Sequence, residues 1–296
     1  QVKDENLIVS AGSKILTYQT MKMVLGEGDN IVLHEPAWLS YQDQATLCGA
    51  STTYLPYDQS LSEVSRYISD ETKLIIINNP NNPAGYVYQK SELRDLLEFA
   101  RSRNIYVLVD EAYCDFVYPE AQSEFCSAVA YVPEFSNLVV VSSISKNFGM
   151  SGWRIGYAVS NSNNISKLEI LNQHTITCAP TALQMYLSEH LFDVYDACHP
   201  QIQRLLEKRR VVEELLKKYD VPFLSGKATF YLFVDIRDSG MGSDQFAETL
   251  LSDHKIAVVP GSAYGNTTDG FIRISIGTEE LADIETAISM IAGYLK

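Results

Sequence analysis

Apolar residues follow two rhythms along this chain. Residues 30–34, 73–77, 106–109 and 138–142 are apolar at nearly every position. Such runs, bounded by turn residues, read as strands covered on both faces. Residues 7–10, 52–55 and 155–159 read as further strands. Between them the spacing changes to three and four. Ile15, Leu16, Met21, Val24 and Leu25 follow Ser13 and Lys14, and Leu93, Leu96, Leu97 and Ala100 mark one face of 91–103. Segments 40–48 and 61–68 also read as helices. Residues 117–136 keep neither rhythm and read as a loop-rich insertion.

Strands alternating with helices predict an α/β fold with a mostly parallel, doubly wound sheet. A long helix then follows, marked by Ile202, Leu205, Leu206, Val212, Leu215 and Leu216. Its basic residues (Arg204, Lys208, Arg209 and Arg210) read as a solvated face. From residue 223 the order becomes strand, helix, strand, strand, helix. The strands are expected at 228–234, 256–259 and 271–276. Leu281, Ile284, Ile288, Ile291 and Leu295 mark the last helix. The expected division is a large domain over 1–195 and a smaller C-terminal α+β domain over 196–296, which includes the long connecting helix.

Composition narrows the class. A chain of 296 residues is long enough for both parts. The net charge of −14 argues against nucleic acid or an anionic membrane as partner. Five scattered cysteines without a CxxC pair predict free thiols in a reducing compartment, hence a cytoplasmic location, with neither a disulfide frame nor a zinc site. The histidines show no ligand spacing, so no metal is expected. No apolar run is long enough to span a bilayer, and no signal peptide opens the chain. It begins with Gln1, close to a strand-like segment, and reads as a piece that starts inside a larger protein.

Candidate chemistry gathers at strand ends. Asn82 lies in a turn of two Asn-Pro pairs after the 73–77 run, Asp110 ends the 106–109 run, and Lys146 follows the 138–142 run. Each alone has a plain structural reading, as turn residue, helix cap or surface lysine. Together, at the ends of successive buried strands, they converge on the sheet edge where open α/β sheets bind ligands. Gly12-Ser13-Lys14 opens a helix whose free backbone N–H groups could hold an anion, although most such turns only cap a helix.

These motifs carry a family resemblance. Ser143-Ile144-Ser145-Lys146, with Arg154 eight residues past the lysine, resembles the cofactor-lysine motif of the class I/II aminotransferases (the aspartate aminotransferase superfamily, fold type I). Asn82-Pro83-Ala84-Gly85 resembles that family's Asn-Pro-Thr-Gly, with alanine in place of threonine. Asp110-x-x-Tyr113, Phe-Ile-Arg273-Ile-Ser and the turn Gly261-Ser262-Ala263-Tyr264-Gly265 are similar to further family segments. Order and spacing agree from about Leu7 to the C-terminus.

The resemblance implies a cofactor, pyridoxal 5'-phosphate (PLP), and transfer of an amino group from an amino acid to a 2-oxo acid by a ping-pong route. Lys146 would form the Schiff base and move protons, since a neutral amine is the nucleophile that chemistry requires. Asp110 would pair with the pyridine nitrogen. Asn82 and Tyr113 would donate hydrogen bonds to the cofactor's 3-oxygen, and Trp38 would lie against its ring. The phosphate would meet the Ser13–Lys14 helix start, Ser143 and Arg154. Arg273 would fork the substrate α-carboxylate, with Asn82 and Trp38 beside the substrate. The family's sites form between two subunits, so a homodimer is expected. It also usually carries a stretch before the segment that starts here. Open alternatives are a same-fold lyase or cyclopropane-forming synthase, and a non-catalytic sensor domain of a transcription regulator.

Overall fold

The computed structural model describes residues 2–295, and its strands gather into two sheets. The first half of the chain runs β1 (Leu7–Ser10), α1 (Ser13–Val24), β2 (Asn30–His34), α2 (Ser40–Leu47), β3 (Ser51–Leu55), β4 (Thr72–Asn78), α3 (Lys90–Ser102) and β5 (Tyr106–Asp110). It continues as β6 (Leu138–Ser143), α4 (Ile144–Asn147), β7 (Gly156–Ser160) and α5 (Ser162–Thr175). Seven strands form one sheet in the order β1-β7-β6-β5-β4-β2-β3. Every neighbouring pair from β3 to β6 is parallel, whereas β7 runs antiparallel to both β6 and β1.

Full apolar runs occur because both faces are covered. Ile75, Ile77, Val107, Val109 and Val140 point into a core shared with Leu93, Leu96 and Leu97 of α3. Their alternates Leu74, Ile76, Leu108, Val139 and Val141 point to the opposite side, against Leu16 and Met21 of α1, Ala45 of α2 and Leu168 of α5. This is the period of two expected of strands packed between helix layers.

The remainder runs α6 (Thr181–Lys218), β8 (Tyr231–Asp235), α7 (Ser243–His254), β9 (Val259–Pro260), β10 (Phe271–Ser275) and α8 (Leu281–Tyr294). β8, β10 and β9 form an antiparallel sheet with β10 in the centre. Its core joins Val212 and Leu216 of α6 with Leu232, Phe246, Ile272, Ile284 and Ile288. α6 contains the expected boundary between residues 195 and 196, and it kinks at His190, whose φ of −124° is not helical. Among the described residues, no helix is long and apolar enough to cross a membrane.

Five local outcomes differ from the pattern. Arg209, expected on a solvated face of the long helix, is fully buried, where its guanidinium donates to Tyr118 OH (3.1 Å) and Gly226 O (2.9 Å) and pairs with Glu213. The helix expected over 61–68 is a 3-10 helix, Leu61–Tyr67. Its two buried residues, Leu61 and Val64, are three apart, which suits three residues per turn. The strand expected from 228 starts only at Tyr231, because Thr229 adopts φ +67° and breaks the extended path. Of 256–259 only Val259 joins a ladder. The residues before it close α7, where Lys255 takes a left-handed cap conformation and Ile256 N donates to Leu250 O. Finally, the 117–136 insertion is irregular as expected but not superficial. It buries Ala128 and Phe135 completely.

Glu111 holds that insertion down. Its carboxylate accepts from Ser127 Oγ (2.7 Å) and Ala128 N (2.6 Å). Burial outweighs these bonds and pushes the carboxyl up to about 7. A carboxyl raised in the folded state binds its proton more tightly than in the unfolded chain. Stability from this group is therefore fully present below the ordinary carboxylate range and is lost as pH rises through about 7. The loss is on the order of 3 kcal/mol. Glu111→Gln removes the titration. Denaturant midpoints measured from pH 5 to 8 should fall with pH more steeply in the parent than in Glu111→Gln. Parallel curves for the two proteins would contradict this account.

Candidate active site

Strand register assembles one edge of the large sheet. Asn78 pairs with Asp110 across β4 and β5, and Asp110 with Val141 across β5 and β6. Ser143 and Ser10 both pair with Gly156. The carboxyl ends of β1, β4, β5 and β6 and the start of β7 thus lie side by side. A cavity of ≈ 290 Å³ opens there. Lys146, Asp110, Tyr113 and Asn82 line it, and so do Ser13, Lys14, Ser143 and Arg154. Trp38 and Arg273 complete the set, so every sequence-predicted site residue faces the same space.

Lys146 lies on the single helical turn α4, directly after β6. Ser143 caps that turn, its Oγ accepting from Ser145 N (3.3 Å). The ammonium of Lys146 stands 5.9 Å from the centre of the Phe230 ring. Asp110 is buried, and its two oxygens have separate donors. Tyr41 OH donates to Oδ2 (2.7 Å) and Ala112 N to Oδ1 (3.0 Å). Burial raises the carboxyl above its ordinary value, and these two bonds oppose that shift. Among the described residues no cation forms a salt bridge with Asp110.

The opposite end of the cavity is built for an anion. α1 begins at Ser13, directly after Gly12, whose φ is +95°. Gly156 must lack a side chain, because a Cβ there would stand 2.3 Å from Ser13 N. Arg154 adopts the left-handed φ of +53°. Its guanidinium donates to Ser151 O (2.6 Å) and Ala11 O (3.3 Å), which draws it over the start of α1. Lys14 also lines the cavity, its Nζ 4.8 Å from the Trp38 ring centre. Trp38 stands edge-on to Tyr41, with ring centres 5.2 Å apart.

The small sheet supplies the remaining wall. Arg273 comes from its central strand, and its guanidinium carbon lies 4.4 Å from the Tyr231 ring centre and 5.6 Å from that of Tyr264. The buried Nε of Arg273 and Oδ1 of Asn82 have no hydrogen-bond partner among the described residues. The small domain is tied to β2 by Glu35, which is buried. Glu35 accepts from Asn266 N, from Thr267 N (3.2 Å) and from the Thr267 hydroxyl. Ala37 N donates to Tyr264 O (2.8 Å) alongside.

Sequence reasoning missed four contributors here. Tyr41 holds Asp110. Asn78 steadies the Asn82 turn, its Oδ1 accepting from Asn82 N (2.7 Å) while its Nδ2 donates to Asp110 O (2.7 Å). Phe230 and Tyr231 both stand edge-on to Tyr113 at 5.8 Å. Only Asn78 left a trace in the sequence, as the residue that opens the turn.

A buried carboxyl group that among the described residues has no cation, a helix start beside a guanidinium, and a lysine amine thus line one cavity, a set able to hold a molecule that carries both an anionic and a cationic group. Comparison with known proteins agrees. The family model described as aminotransferase class I and II matches residues 1–291. The chain is 31% identical over 300 residues to an aspartate aminotransferase of Thermotoga maritima, covering 99% of this chain and 76% of that protein. It is 33% identical to a probable aspartate/prephenate aminotransferase of Aquifex aeolicus, over 95% of this chain and 73% of that one. The crystal structure of an aromatic aminotransferase from Pyrococcus horikoshii superposes with a TM-score of 0.91 at 28% identity, covering 98% of this chain and 79% of its own.

Proposed function

This chain belongs to the class I and II aminotransferases, and from that premise we propose how its residues divide the work. It is a PLP-dependent enzyme that moves an amino group from an amino acid to a 2-oxo acid. When bound, PLP supplies the carbonyl that receives the amino group and a conjugated ring that draws electrons from the substrate's α-carbon. The observation that carries the assignment of residues is the buried Asp110 carboxylate, without a cation of its own, facing the same cavity as Lys146.

Asp110 binds and keeps the proton on the ring nitrogen. Lys146 takes the proton from the substrate's α-carbon. Tyr113 and Asn82 would donate hydrogen bonds to the cofactor's 3-oxygen, and Trp38 would offer its ring as an apolar wall beside it. The backbone at Ser13 and Lys14, the Ser143 hydroxyl and Arg154 hold the phosphate. Arg273 forks the substrate α-carboxylate with its free donors. Amino donor and oxo acceptor use this one site in turn, a ping-pong route. The lyase, synthase and sensor readings have no observation in their favour.

The side chain of Lys14 is left without a task by this division. Several relatives are aspartate aminotransferases. The Lys14 ammonium over Trp38 suits a second carboxylate on the substrate, and the donor is a 2-amino dicarboxylic acid. Lys14→Ser should raise KM for aspartate roughly tenfold while leaving aromatic donors within about twofold. Equal changes for both donors would remove Lys14 from substrate recognition.

A homodimer is supported by the first half of α6, where Met185, Tyr186, Leu191 and Phe192 are exposed, Phe192 to 80%. Sedimentation should give twice the chain mass, and a monomer at micromolar concentration would count against it. All five cysteines are unpaired, which supports a cytoplasmic location.

The defining experiment adds PLP, records the visible band, and then adds amino acids one at a time. Loss of the band with aspartate or glutamate, with the matching 2-oxo acid released, is the expected result. A band that no amino acid discharges would overturn the transaminase assignment of these residues.

A further inference from the structure

We propose that Tyr231 is a positioning residue that joins the Arg273 guanidinium to the Tyr113 hydroxyl, so that substrate-carboxylate binding and cofactor tuning share one side chain. The inference rests on the roles given above to Arg273 and Tyr113.

Three contacts carry it. The Tyr113 and Tyr231 hydroxyls lie 3.3 Å apart, Tyr113 donating. The Arg273 guanidinium carbon stands 4.4 Å over the Tyr231 ring. Tyr231 is also held in place: it is buried, its N donates to Thr229 Oγ1 (3.3 Å), and it pairs with Ser275, two residues from Arg273 on β10. The left-handed turn at Thr229 (φ +67°) delays the strand, and both Phe230 and Tyr231 reach Tyr113.

The physics differs for the two ends of the side chain. The ring face attracts and orients a guanidinium, leaving its edge donors for a carboxylate. The hydroxyl can donate or accept. Once Tyr113 turns its proton to the cofactor's 3-oxygen, Tyr231 becomes the donor to Tyr113. A hydroxyl that accepts a hydrogen bond is a stronger donor itself. Removing the Tyr231 hydroxyl therefore weakens Tyr113's bond to the 3-oxygen. The 3-oxygen then keeps more of its negative charge and holds a neighbouring proton longer, raising the pH midpoint of the bound cofactor's visible band.

Two variants separate the ring from the hydroxyl, with maleate as a non-reacting carboxylate probe. With the protein loaded with PLP, Tyr231→Phe should raise that midpoint by roughly half a pH unit while changing the maleate Kd less than about twofold. Tyr231→Leu should raise the midpoint similarly and weaken maleate roughly tenfold. An unmoved midpoint in Tyr231→Phe, or an unmoved maleate Kd in Tyr231→Leu, would overturn the proposal. Arg273→Gln is the control. If it binds maleate like the parent, the carboxylate role of Arg273 has failed first. If it loses maleate while Tyr231→Leu does not, only the role of Tyr231 has failed.

Discussion

Lys146→Ala should lower turnover by about 10⁴-fold or more, because it deletes the group that moves the proton at the reacting carbon. The fold should survive. Lys146 is only half-buried, forms no salt bridge among the described residues, and its turn is capped by Ser143. PLP should still bind, since the helix start, Arg154 and Asp110 remain. The pH-dependent visible band should disappear, because the amine that interacts with the cofactor is gone. Single-turnover kinetics and a pH-resolved spectrum test both parts. A variant with a normal pH-dependent band would remove Lys146 from the chemistry altogether.

The second large effect is expected from Asp110→Asn. The substitution leaves an oxygen to accept from Ala112 N, its amide can donate to the Tyr41 hydroxyl, which accepts as readily as it donates, and the volume is almost the same, so melting should change little. The charge is lost, and with it the anion that keeps a proton on the ring nitrogen. Turnover should fall by about 10³-fold, and PLP should bind more weakly. Asp110 is costly to keep ionised in its buried position, and a cation arriving in the cavity relieves that cost. Asp110→Asn should therefore bind PLP with less dependence on pH than the parent does in the acid range. If kcat/KM stays within about tenfold of the parent, the ring-nitrogen role is wrong.

Much of the site was legible because its parts lie at predictable places on the chain. Asn82, Asp110 and Lys146 each follow a run of apolar residues, and a run covered on both faces announces a parallel strand. Parallel strands put all their carboxyl ends on one edge. Three separate signals in sequence therefore become one cluster in space. The turn at Ser13 was readable as the start of a helix that could hold an anion, whereas Ser143, Arg154 and Arg273 took their roles from the family resemblance of the motifs they stand in.

The hidden part has a different origin. Tyr41 meets Asp110 across 69 positions, and Tyr231 meets Tyr113 across 118. The residues flanking a tyrosine look the same whether its hydroxyl ends at a carboxylate or in solvent. Glu35 likewise carries no local mark of its role, yet its carboxylate accepts from Asn266 and Thr267, 231 and 232 positions away. The late start of the strand at Tyr231 depends on one left-handed residue, Thr229, whose type does not signal it.

By itself, then, the sequence determined the α/β alternation, the sheet edge that carries the chemistry and the residue types found there. Each follows from local periodicity and from where a buried strand must stop. Only the tertiary structure decided which aromatic rings surround Tyr113 and Arg273, which donors hold Asp110, and how the small sheet is fastened to the large one. Those outcomes depend on packing between elements far apart in the chain, where any of several apolar or aromatic side chains would satisfy the local pattern equally well.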